Sequence, residues 1–359
     1  MNKISVIIPA YNAEKTIEKC LESVYAAIHT VKLSDNSKEC EVIVVDDCST
    51  DNTVEIIKDS PSKVIRFDKH LGVSTARNTG AKQCSGGIIL FLDSDVIFIE
   101  DGLKELNESF EKYPDTDVIQ GVYTKDTTFQ NPSALSRNYY KYYQTSKITG
   151  DYISGINSCC FAIKKKVFES VKGFDPAWER VEDVELGWRL VKNGYKILLN
   201  KRLQVKHNKY YSFIGLLKAD FKKVYAKMKL LLSTYFQRDA SRKGEKQAQA
   251  KITFSLNKMK DMLAEFSSVF LSGLIIMEII GLAISRNFFF YYLIPVSAAI
   301  FILLNLNFLI LIKRDKGLMV TIKCLFVYYF EMLIAQFAIL KAIYDYSLKR
   351  YYKKGFFRV

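Results

Sequence analysis

Two apolar runs in the sequence each end in a pair of aspartates. The runs are residues 42–45, followed by Asp46 and Asp47, and residues 88–92, followed by Asp93, Ser94 and Asp95. Short runs rich in β-branched residues predict buried parallel strands, and open α/β sheets bind ligands at the carboxyl ends of such strands. Ionised carboxylates are not buried unpaired, so two solvated turns are the alternative to a ligand site. Two such clusters in one predicted sheet favour the site, and an Asp-x-Asp pair suits a hard divalent cation that also binds phosphate.

Strands and helices alternate along the first hundred residues. The predicted strands are residues 4–8, closed by Pro9, and residues 42–45, 63–67 and 88–92. This alternation predicts right-handed βαβ units and an α/β fold, with helices on both faces of a mostly parallel sheet. No Gly-x-Gly-x-x-Gly or Walker sequence is present to bind phosphate through backbone amides, so a metal ion or side chains must meet that charge.

The net charge of +14 is unevenly distributed. Residues 1–200 carry 25 Lys and Arg against 29 Asp and Glu, residues 201–265 carry 16 against 5, and residues 266–359 carry 11 against 4. Because the positive charge accompanies the most apolar segments, it favours an anionic membrane surface over nucleic acid. The seven cysteines match no zinc or disulfide pattern, and we expect reduced thiols and no signal peptide before the first strand.

From residue 209 onward, apolar residues recur on one predicted helical face that is distinct from Lys218, Lys222 and Lys229. The apolar face comprises Ile214, Leu217, Phe221, Val224, Met228, Leu231 and Tyr235. A basic amphipathic helix of this kind favours the membrane interface. Docking of the same face on a soluble domain is the alternative.

Three apolar runs follow this helix. Residues 266–285 and 288–312 are each long enough to span a bilayer. Residues 324–340 contain Glu331 at their centre, and a carboxylate at mid-membrane depth is costly. If this third run also spanned, the basic tail would end outside, against the positive-inside rule. We therefore expect two spanning helices followed by a re-entrant or interfacial segment.

Five ordered motifs within residues 1–207 resemble those of family 2 inverting glycosyltransferases with the GT-A fold. The motifs are residues 5–12 (SVIIPAYN), 44–51 (VVDDCSTD), 72–80 (GVSTARNTG), 91–95 (FLDSD) and 182–186 (EDVEL). The resemblance implies a nucleotide-sugar donor, with a UDP-sugar favoured, a Mn²⁺ or Mg²⁺ ion, and direct displacement at the anomeric carbon. The polymerising members carry a Gln-x-x-Arg-Trp motif, and the absence of an Arg-Trp pair disfavours a processive synthase.

The resemblance also assigns the donor side of the site. It implies that the nucleobase is bordered by Pro9, Ala10, Tyr11 and Asn12, and that Asp47 accepts a hydrogen bond from the base or ribose. Arg77 is expected to approach the base or diphosphate. Asp93 is expected near the ribose or donor sugar, and Asn157 is expected to form hydrogen bonds with sugar hydroxyls. Asp95 is the expected metal ligand, together with Asp93 and with His207 as a late histidine. A surface salt bridge for Arg77 and an ordinary surface position for His207 are the alternatives.

On the acceptor side, inversion by a single displacement requires a base within hydrogen-bond reach of the attacking hydroxyl. The resemblance gives this role to Asp183, with Glu182 as the second choice. An anionic phosphate acceptor needs no base, in which case Asp183 only orients it. Acidic residues are also favoured at any helix N-terminus, which is the alternative explanation of this motif. Trp178 and Trp188 flank the motif, and one of them is expected either to stack on a sugar or to belong to the core.

These observations predict a membrane enzyme of cell-surface glycan synthesis with a cytoplasmic catalytic domain. Its predicted regions are a GT-A domain (1–207), basic interfacial helices and a loop (208–265), transmembrane or re-entrant helices (266–345) and a basic tail (346–359). The expected acceptor is a lipid-linked glycan or polyprenyl phosphate. A nucleotidyltransferase and a non-catalytic membrane scaffold are the alternatives. The first is disfavoured by residues 9–12 (PAYN), which stand where such enzymes have a Gly-rich loop, and the second by the intact Asp93, Asp95 and Asp183.

Overall fold

The computed structural model describes residues 3–34, 39–241, 256–285, 287 and 289–353. The chain divides into two compact units, one of residues 1–130 and 140–210 and one of residues 131–139 and 211–359. The strands of the first unit are β1 (Ile4–Ala10), β2 (Cys40–Asp46), β3 (Lys63–Arg66), β4 (Ile88–Leu92), β5 (Val96–Phe98), β6 (Val118–Thr127), β7 (Tyr152–Ile153), β8 (Cys160–Lys164) and β9 (Ile197–His207). Its helices are α1 (Ile17–Ser34), α2 (Thr53–Lys58), α3 (Val73–Gln83), α4 (Gly102–Lys112), α6 (Lys165–Ser170) and α7 (Glu182–Lys192), and the two units divide α5 (Pro132–Ser146) between them.

The strands form one sheet in the order β3-β2-β1-β4-β8-β6-β9-β5, with β7 paired to β9. The part built from β1 to β4 is parallel throughout, as the sequence predicts. Strand β8 runs antiparallel to both β4 and β6, and β5 and β7 run antiparallel to β9. The predicted α/β class is therefore confirmed, although the sheet is mixed beyond β4.

Both faces of the sheet are covered. One core contains the inward side chains of α1 and α4, with Ile57 of α2, packed on alternate residues of β1, β2 and β4. The other contains side chains of α3, α6 and α7 on the opposite face of the same strands. Residues of the central strands are buried on both sides, which explains why they form continuous apolar runs rather than alternating ones.

The prediction that Pro9 closes the first strand is wrong. Strand β1 continues to Ala10, and Pro9 pairs with Val45 of β2. The Ala10 carbonyl accepts the Asp47 N–H at 2.8 Å, so the backbone polar groups of Ala10 point towards β2. Because these groups alternate along a strand, the backbone of Pro9 points towards β4. Pairing with β4 ends at Ile7 and Phe91, and the missing N–H of Pro9 therefore breaks no ladder hydrogen bond.

The second unit is helical. Its helices after α5 are α8 (Phe213–Ser241), α9 (Leu256–Ser285), α10 (Phe289–Leu304), α11 (Leu306–Lys316) and α12 (Leu318–Lys353). By length and composition, residues 265–285 of α9 and residues 318–348 of α12 could each cross a membrane. Helices α10 and α11 together pass the same test but meet at a bend of 72°, so they form either a broken span or a re-entrant loop.

These helices correct two expectations. Residues 288–312 were expected to form one spanning helix, but the run breaks at Asn305, whose side-chain amide donates to Ser268 Oγ at 2.9 Å and to the Phe301 carbonyl at 2.8 Å. For the third run the sequence predicts a re-entrant or interfacial segment, and the structure has a continuous 36-residue helix, which corrects the re-entrant alternative and does not test the interfacial one. By length and apolar composition it is a candidate span. The helices that pack beside it bear on whether it could lie in a bilayer.

Helix α8 confirms a helix where the sequence predicts one, but its buried face is not the predicted apolar face. Ile214 and Leu231 are 58% and 41% exposed, whereas Leu216 and Asp220 are buried. The side chain of Tyr235 lies outside the described residues, as do residues 242–255 and residues 354–359 of the predicted tail. All seven cysteines are free thiols.

Candidate active site

The carboxyl end of β2 holds the loop that precedes α3. Asp47 is buried, and its two carboxylate oxygens accept the backbone N–H groups of Leu71 and Gly72 at 2.7 and 2.9 Å. Gly72 has φ of 88°, a conformation that glycine adopts without strain, and it is the N-cap residue of α3. His70 Nδ1 lies 3.0 Å from Asp47 Oδ2. Asp47 therefore fixes the shape of this loop, and a carboxylate has further lone pairs with which to accept from a ligand.

The segment after β1 lies beside this loop. Tyr11 is 47% exposed, and its ring centroid is 4.2 Å from that of His70. Asn12 has φ of 49°, and its side-chain oxygen accepts the Thr50 N–H at 2.9 Å. The two exposed rings offer an apolar surface of the kind on which a flat heterocycle stacks. Asn12 holds neighbouring backbone in place, whereas Pro9 and Ala10 are buried in β1.

Arg77 of α3 joins two acidic motifs that lie far apart in the chain. Its side chain is 3% exposed, with NH2 2.7 Å from Asp93 Oδ1 and NH1 2.8 Å from Glu182 Oε1. Its guanidinium also lies 5.2 Å from the centre of the Phe174 ring. These three charged residues, Arg77, Asp93 and Glu182, are called the Arg77 cluster below. The cluster brings the carboxyl end of β4 next to the N-terminus of α7.

The Arg77 cluster has more negative than positive charge. Burial lowers the pKa of Arg77, but Asp93 and Glu182 outweigh burial and raise it. Burial and the neighbouring Asp183 raise the pKa of Glu182, although Arg77 acts in the opposite direction. Glu182 Oε2 and Arg77 Nε are buried without a hydrogen-bond partner. Glu182 is thus committed to an ion pair, which leaves Asp183 as the acidic residue of this motif that is not paired with an arginine.

Asp183 lies in the first turn of α7, beside the segment that precedes β8. Its Oδ2 accepts the Ser158 N–H at 3.3 Å, and Oδ1 accepts the Val184 N–H at 2.8 Å. A Cβ on Gly187 would lie 2.8 Å from the Ile156 backbone nitrogen, so a glycine is required for α7 to approach this closely.

Asn157 belongs to the same segment. Its side-chain oxygen accepts the Cys159 N–H at 3.0 Å, and its backbone N–H donates to Gln120 Oε1 at 2.7 Å. Gln120 Nε2 in turn donates to the carbonyls of Gly121, Asn157 and Cys160. Gln120 is buried and holds the segment that supports Asp183. Nothing in the sequence pattern of β6 indicates this role, because it depends on the pairing of β6 with β8.

Asp95 and His207 meet through the antiparallel pairing of β5 and β9, in which Val96 is opposite His207. Asp95 Oδ2 accepts a hydrogen bond from Lys209 Nζ at 2.8 Å. Burial alone would raise the pKa of Asp95, but the nearby charges of Lys209 and His207 hold it at about 2. Asp95 is therefore ionised and already faces a cationic group.

The donor set fits a divalent cation in part. Asp95 supplies an ionised carboxylate beside the imidazole of His207, and the Lys209 ammonium shows that a positive charge is stable there. Asp93, the other expected ligand, is paired with Arg77. Within the described part of the chain, no three His, Cys, Asp or Glu side chains form a ready metal-binding group. A metal at this position would therefore need ligands from a bound diphosphate, as hard cations commonly have.

Three residues near these groups were not singled out by the sequence: His70, Gln120 and Lys209. His70 lies two residues before the 72–80 motif and Lys209 two residues after His207, and only the folded loops show that they reach Asp47 and Asp95. Trp178 and Trp188 are both half-buried, so neither is a plain core residue.

A family model for glycosyl transferase family 2 matches residues 5–172, which include every motif from β1 to the Asn157 segment. The chain contains a family 2 glycosyltransferase domain. Asp183, Glu182 and His207 lie beyond the matched residues, so their positions come from the structure alone.

The curated relatives share part of this chain. It is 29% identical over 185 residues to glycosyltransferase GlyA of Streptococcus pneumoniae, a match that covers 50% of this chain and 22% of GlyA. It is 38% identical over 110 residues to the poly(ribitol-phosphate) β-N-acetylglucosaminyltransferase TarS of Staphylococcus aureus, covering 29% of this chain and 18% of TarS. The matches thus span about a fifth of these two relatives.

One solved structure resembles the chain over nearly its whole length. It is the mannosyltransferase PcManGT from Pyrobaculum calidifontis in complex with GDP-Man and Mn²⁺, with a TM-score of 0.55, 15% sequence identity, and coverage of 96% of this chain and 88% of that chain. At this identity the likeness concerns the fold. It agrees with the α/β unit and the helical unit described above.

Proposed function

We propose that the protein is a membrane-associated glycosyltransferase that moves a sugar, with inversion, from a nucleotide-sugar to an acceptor in cell-surface glycan synthesis. The observation that carries this proposal is the bridging of Asp93 and Glu182 by Arg77. It joins the strand-end carboxylates expected on the donor side to the helix that bears Asp183, so both halves of a displacement reaction have residues in one site.

On the donor side, the exposed rings of Tyr11 and His70 provide a stacking surface, and Asp47 holds the loop that carries His70. A UDP-sugar is the donor we propose, because a carboxylate at this strand end can accept the N–H of uracil. Mn²⁺ or Mg²⁺ would be held by Asp95 with His207 and Asp93. When bound, such an ion would neutralise charge on the departing diphosphate.

On the acceptor side, Asp183 is the proposed base. Its carboxylate is oriented by the Ser158 N–H, and it would accept the proton of the attacking hydroxyl. Glu182 is held by Arg77 and is assigned a positioning role. Asn157 keeps its segment in shape, and we propose that its amide nitrogen meets a sugar hydroxyl.

The acceptor we propose is lipid-linked, either a glycan or polyprenyl phosphate, and the catalytic domain is proposed to lie on the cytoplasmic side. The support is the presence, in the same chain, of two helices that are long and apolar enough to cross a membrane. The exposed lysines of α8 and the basic residues 313–316 add charge that anionic headgroups attract.

The test is nucleotide release by the purified full-length protein in detergent, with UDP-, GDP- and dTDP-sugars, a membrane lipid extract and Mn²⁺. Asp183→Asn is compared with Asp115→Asn, whose carboxylate is 83% exposed. We expect release from one donor class, retained in the control and strongly reduced in Asp183→Asn when the acceptor is a glycan hydroxyl, with a smaller reduction when it is polyprenyl phosphate. Release of pyrophosphate in a parallel assay with a nucleoside triphosphate and a sugar 1-phosphate would instead indicate nucleotidyl transfer, and no turnover in either assay would favour a scaffold.

A further inference from the structure

Helix α12 has the composition of a membrane span, but α8, which packs beside it, carries too many charges to cross a membrane with it. Three contacts along α8 and α12 follow the same order in both helices. Phe213 lies against Phe326 and Phe330, with ring centroids 6.0 and 5.7 Å apart, and Tyr225 donates to Asp345 at 2.7 Å. Between them, Arg137 of α5 pairs with both Asp220 of α8 and Glu331 of α12.

Arg137, Asp220 and Glu331 are called the Arg137 cluster. All three side chains are buried or nearly so, with exposed fractions of 17%, 10% and 7%. The cluster fixes the register of the two helices, because sliding one past the other would leave buried charges unpaired. The two helices therefore lie side by side, in the same direction, over at least the 13 residues from Phe213 to Tyr225, a rise of about 18 Å.

This stretch of α8 and its continuation are rich in lysine. The exposed lysines are Lys218, Lys222, Lys223, Lys227 and Lys229. If α12 stood upright with residues 318–348 in the hydrocarbon core, α8 would stand beside it and carry these ammonium groups to membrane depth. Lysine side chains can reach the interface from the ends of a span, but not from a stretch that covers more than half of a core about 30 Å thick.

The charge at the two ends of α12 points the same way. Lys313, Arg314 and Lys316 precede the helix, and Lys349, Arg350 and Lys353 belong to its last turns. A spanning α12 would place one of these basic groups on the outer side, whereas positively charged residues near membrane segments favour the inner side. A helix lying in the interface keeps both groups on one side.

One face of α12 suits contact with lipid. Ile322, Phe326, Phe337, Leu340 and Tyr344 are each more than half exposed. At 100° per residue they lie within about 60° of one another, so they form a single apolar stripe. The face opposite carries the buried Glu331 and small residues such as Ala335 and Ala338.

We propose that α8 and α12 lie together in the membrane plane as a two-helix platform, with the apolar stripe in the acyl boundary and the α8 lysines on anionic phospholipid headgroups. An apolar stripe beside a row of exposed lysines is the arrangement with which interfacial helices bind anionic membranes. The platform leaves α9, and α10 with α11, to enter the bilayer. This arrangement is independent of glycosyl transfer, and its tests do not require turnover.

The decisive measurement is the depth of the stripe in reconstituted full-length protein. Nitroxide labels at Ile322→Cys, Phe337→Cys and Tyr344→Cys, in a parent with the half-exposed Cys40 and Cys48 replaced by serine, report accessibility to oxygen and to a water-soluble nickel chelate. These sites cover 22 residues, about 33 Å. The platform predicts equal depth at all three, within a few ångströms. A deep Phe337 label between two shallow ones would overturn it.

The side of the membrane from which each end of α12 can be labelled is a second, independent measurement. Arg314→Cys and Ser347→Cys place exposed thiols before and after the apolar length of α12. An impermeant maleimide should label both in inverted vesicles and neither in right-side-out vesicles. Labelling of the two thiols from opposite sides would show that α12 spans.

The headgroup partner is tested with the triple variant Lys218→Gln, Lys222→Gln and Lys229→Gln, carrying a label at the exposed Ile214. In nanodiscs that contain phosphatidylglycerol, the label should shift towards water relative to the parent, and in phosphatidylcholine alone the two should agree. The matched control replaces the exposed Lys19, Lys58 and Lys104 by glutamine and should not shift. Equal depths for variant and parent in the anionic discs would overturn the headgroup role.

Discussion

Each unit of the protein contains a buried arginine between two carboxylates, and the two clusters differ in what surrounds them. In the Arg77 cluster, Asp93 remains 27% exposed and the unpaired Asp183 follows Glu182 directly. In the Arg137 cluster, both carboxylates are nearly buried and a serine, Ser136, completes the set by donating to Glu331 at 3.2 Å. One arginine and two carboxylates therefore form a solvent-accessible site in the first unit and a buried link between helices in the second.

The comparison shows why a buried ion pair is weak evidence of function on its own. Pairing with arginine compensates the cost of burying two carboxylates in both places. What distinguishes the Arg77 cluster is its position at the carboxyl ends of parallel strands, where open sheets bind ligands. The Arg137 cluster has no such position, and its three members come from three packed helices.

The largest effect is expected at Asp95 of the first unit, the proposed metal ligand, which has no counterpart in the Arg137 cluster. Asp95→Ala, or EDTA, should reduce transfer at least about 10³-fold, because charge on the departing diphosphate would no longer be neutralised. Mn²⁺ or Mg²⁺ should restore the EDTA-treated enzyme but not the variant. Nucleotide release is the measurement, and full activity in EDTA would contradict the metal assignment.

Asp183→Asn tests whether the open cluster serves a base. With a hydroxyl acceptor, kcat should fall by about 10²–10⁴-fold while donor affinity stays nearly unchanged, since only proton removal is lost. With polyprenyl phosphate as acceptor, the loss should be much smaller, because a phosphate is already ionised. Comparing kcat with KM for the donor separates these cases, and near-normal turnover on a hydroxyl acceptor would reject the base.

Arg77→Met should affect stability and activity together. Removing the arginine leaves the buried Glu182 and the partly exposed Asp93 without a counter-charge, a loss of up to about 3–5 kcal/mol in unfolding free energy. Pulse proteolysis in urea measures this loss, and Lys82→Met, at an exposed position on the same helix, is the control. A stable Arg77→Met with normal donor binding would show that the cluster neither holds nor serves the site.

Arg137→Met should cost a similar or smaller free energy, but only in the helical unit. Hydrogen exchange by mass spectrometry should show faster exchange in α8 and α12, with nucleotide binding retained. The triple variant Arg137→Met, Asp220→Leu and Glu331→Met should regain most of the loss, because a closed ion cluster can be replaced by apolar packing. Failure of the triple variant to recover would indicate a role beyond packing.

The smallest effect concerns pH. Burial raises the pKa of Glu182 above its ordinary value of 4.5, so the folded state holds its proton more tightly than the unfolded state. The stability that this provides is complete below the unfolded pKa and is lost as pH rises through the folded pKa. The slope cannot exceed about 1.4 kcal/mol per pH unit for one proton. Urea titrations of wild type and Glu182→Gln across this range measure it, and equal slopes would refute the shift.

Local patterns in the sequence predict much of the first unit. The runs before Asp47 and Asp93 give two strands and the positions of their aspartates, because side-chain spacing within a strand depends only on neighbouring residues. The helix that begins at Glu182 follows from similar local signals. The motifs also indicate the family, which the match over residues 5–172 supports.

Tertiary structure decided how these elements meet. Arg77 and Glu182 are 105 residues apart, and their ion pair depends on α3 and α7 lying on the same face of the sheet. The break at Asn305 depends on an amide that bonds to another helix, and the environment of Glu331 depends on α8 beside it. The sequence by itself determined strands β1 to β4, the carboxylates after β2 and β4, and the apolar character of the later helices, because periodicity and hydropathy are local. Which charges pair, and which face of α12 is covered by α8, followed only from contacts between distant segments.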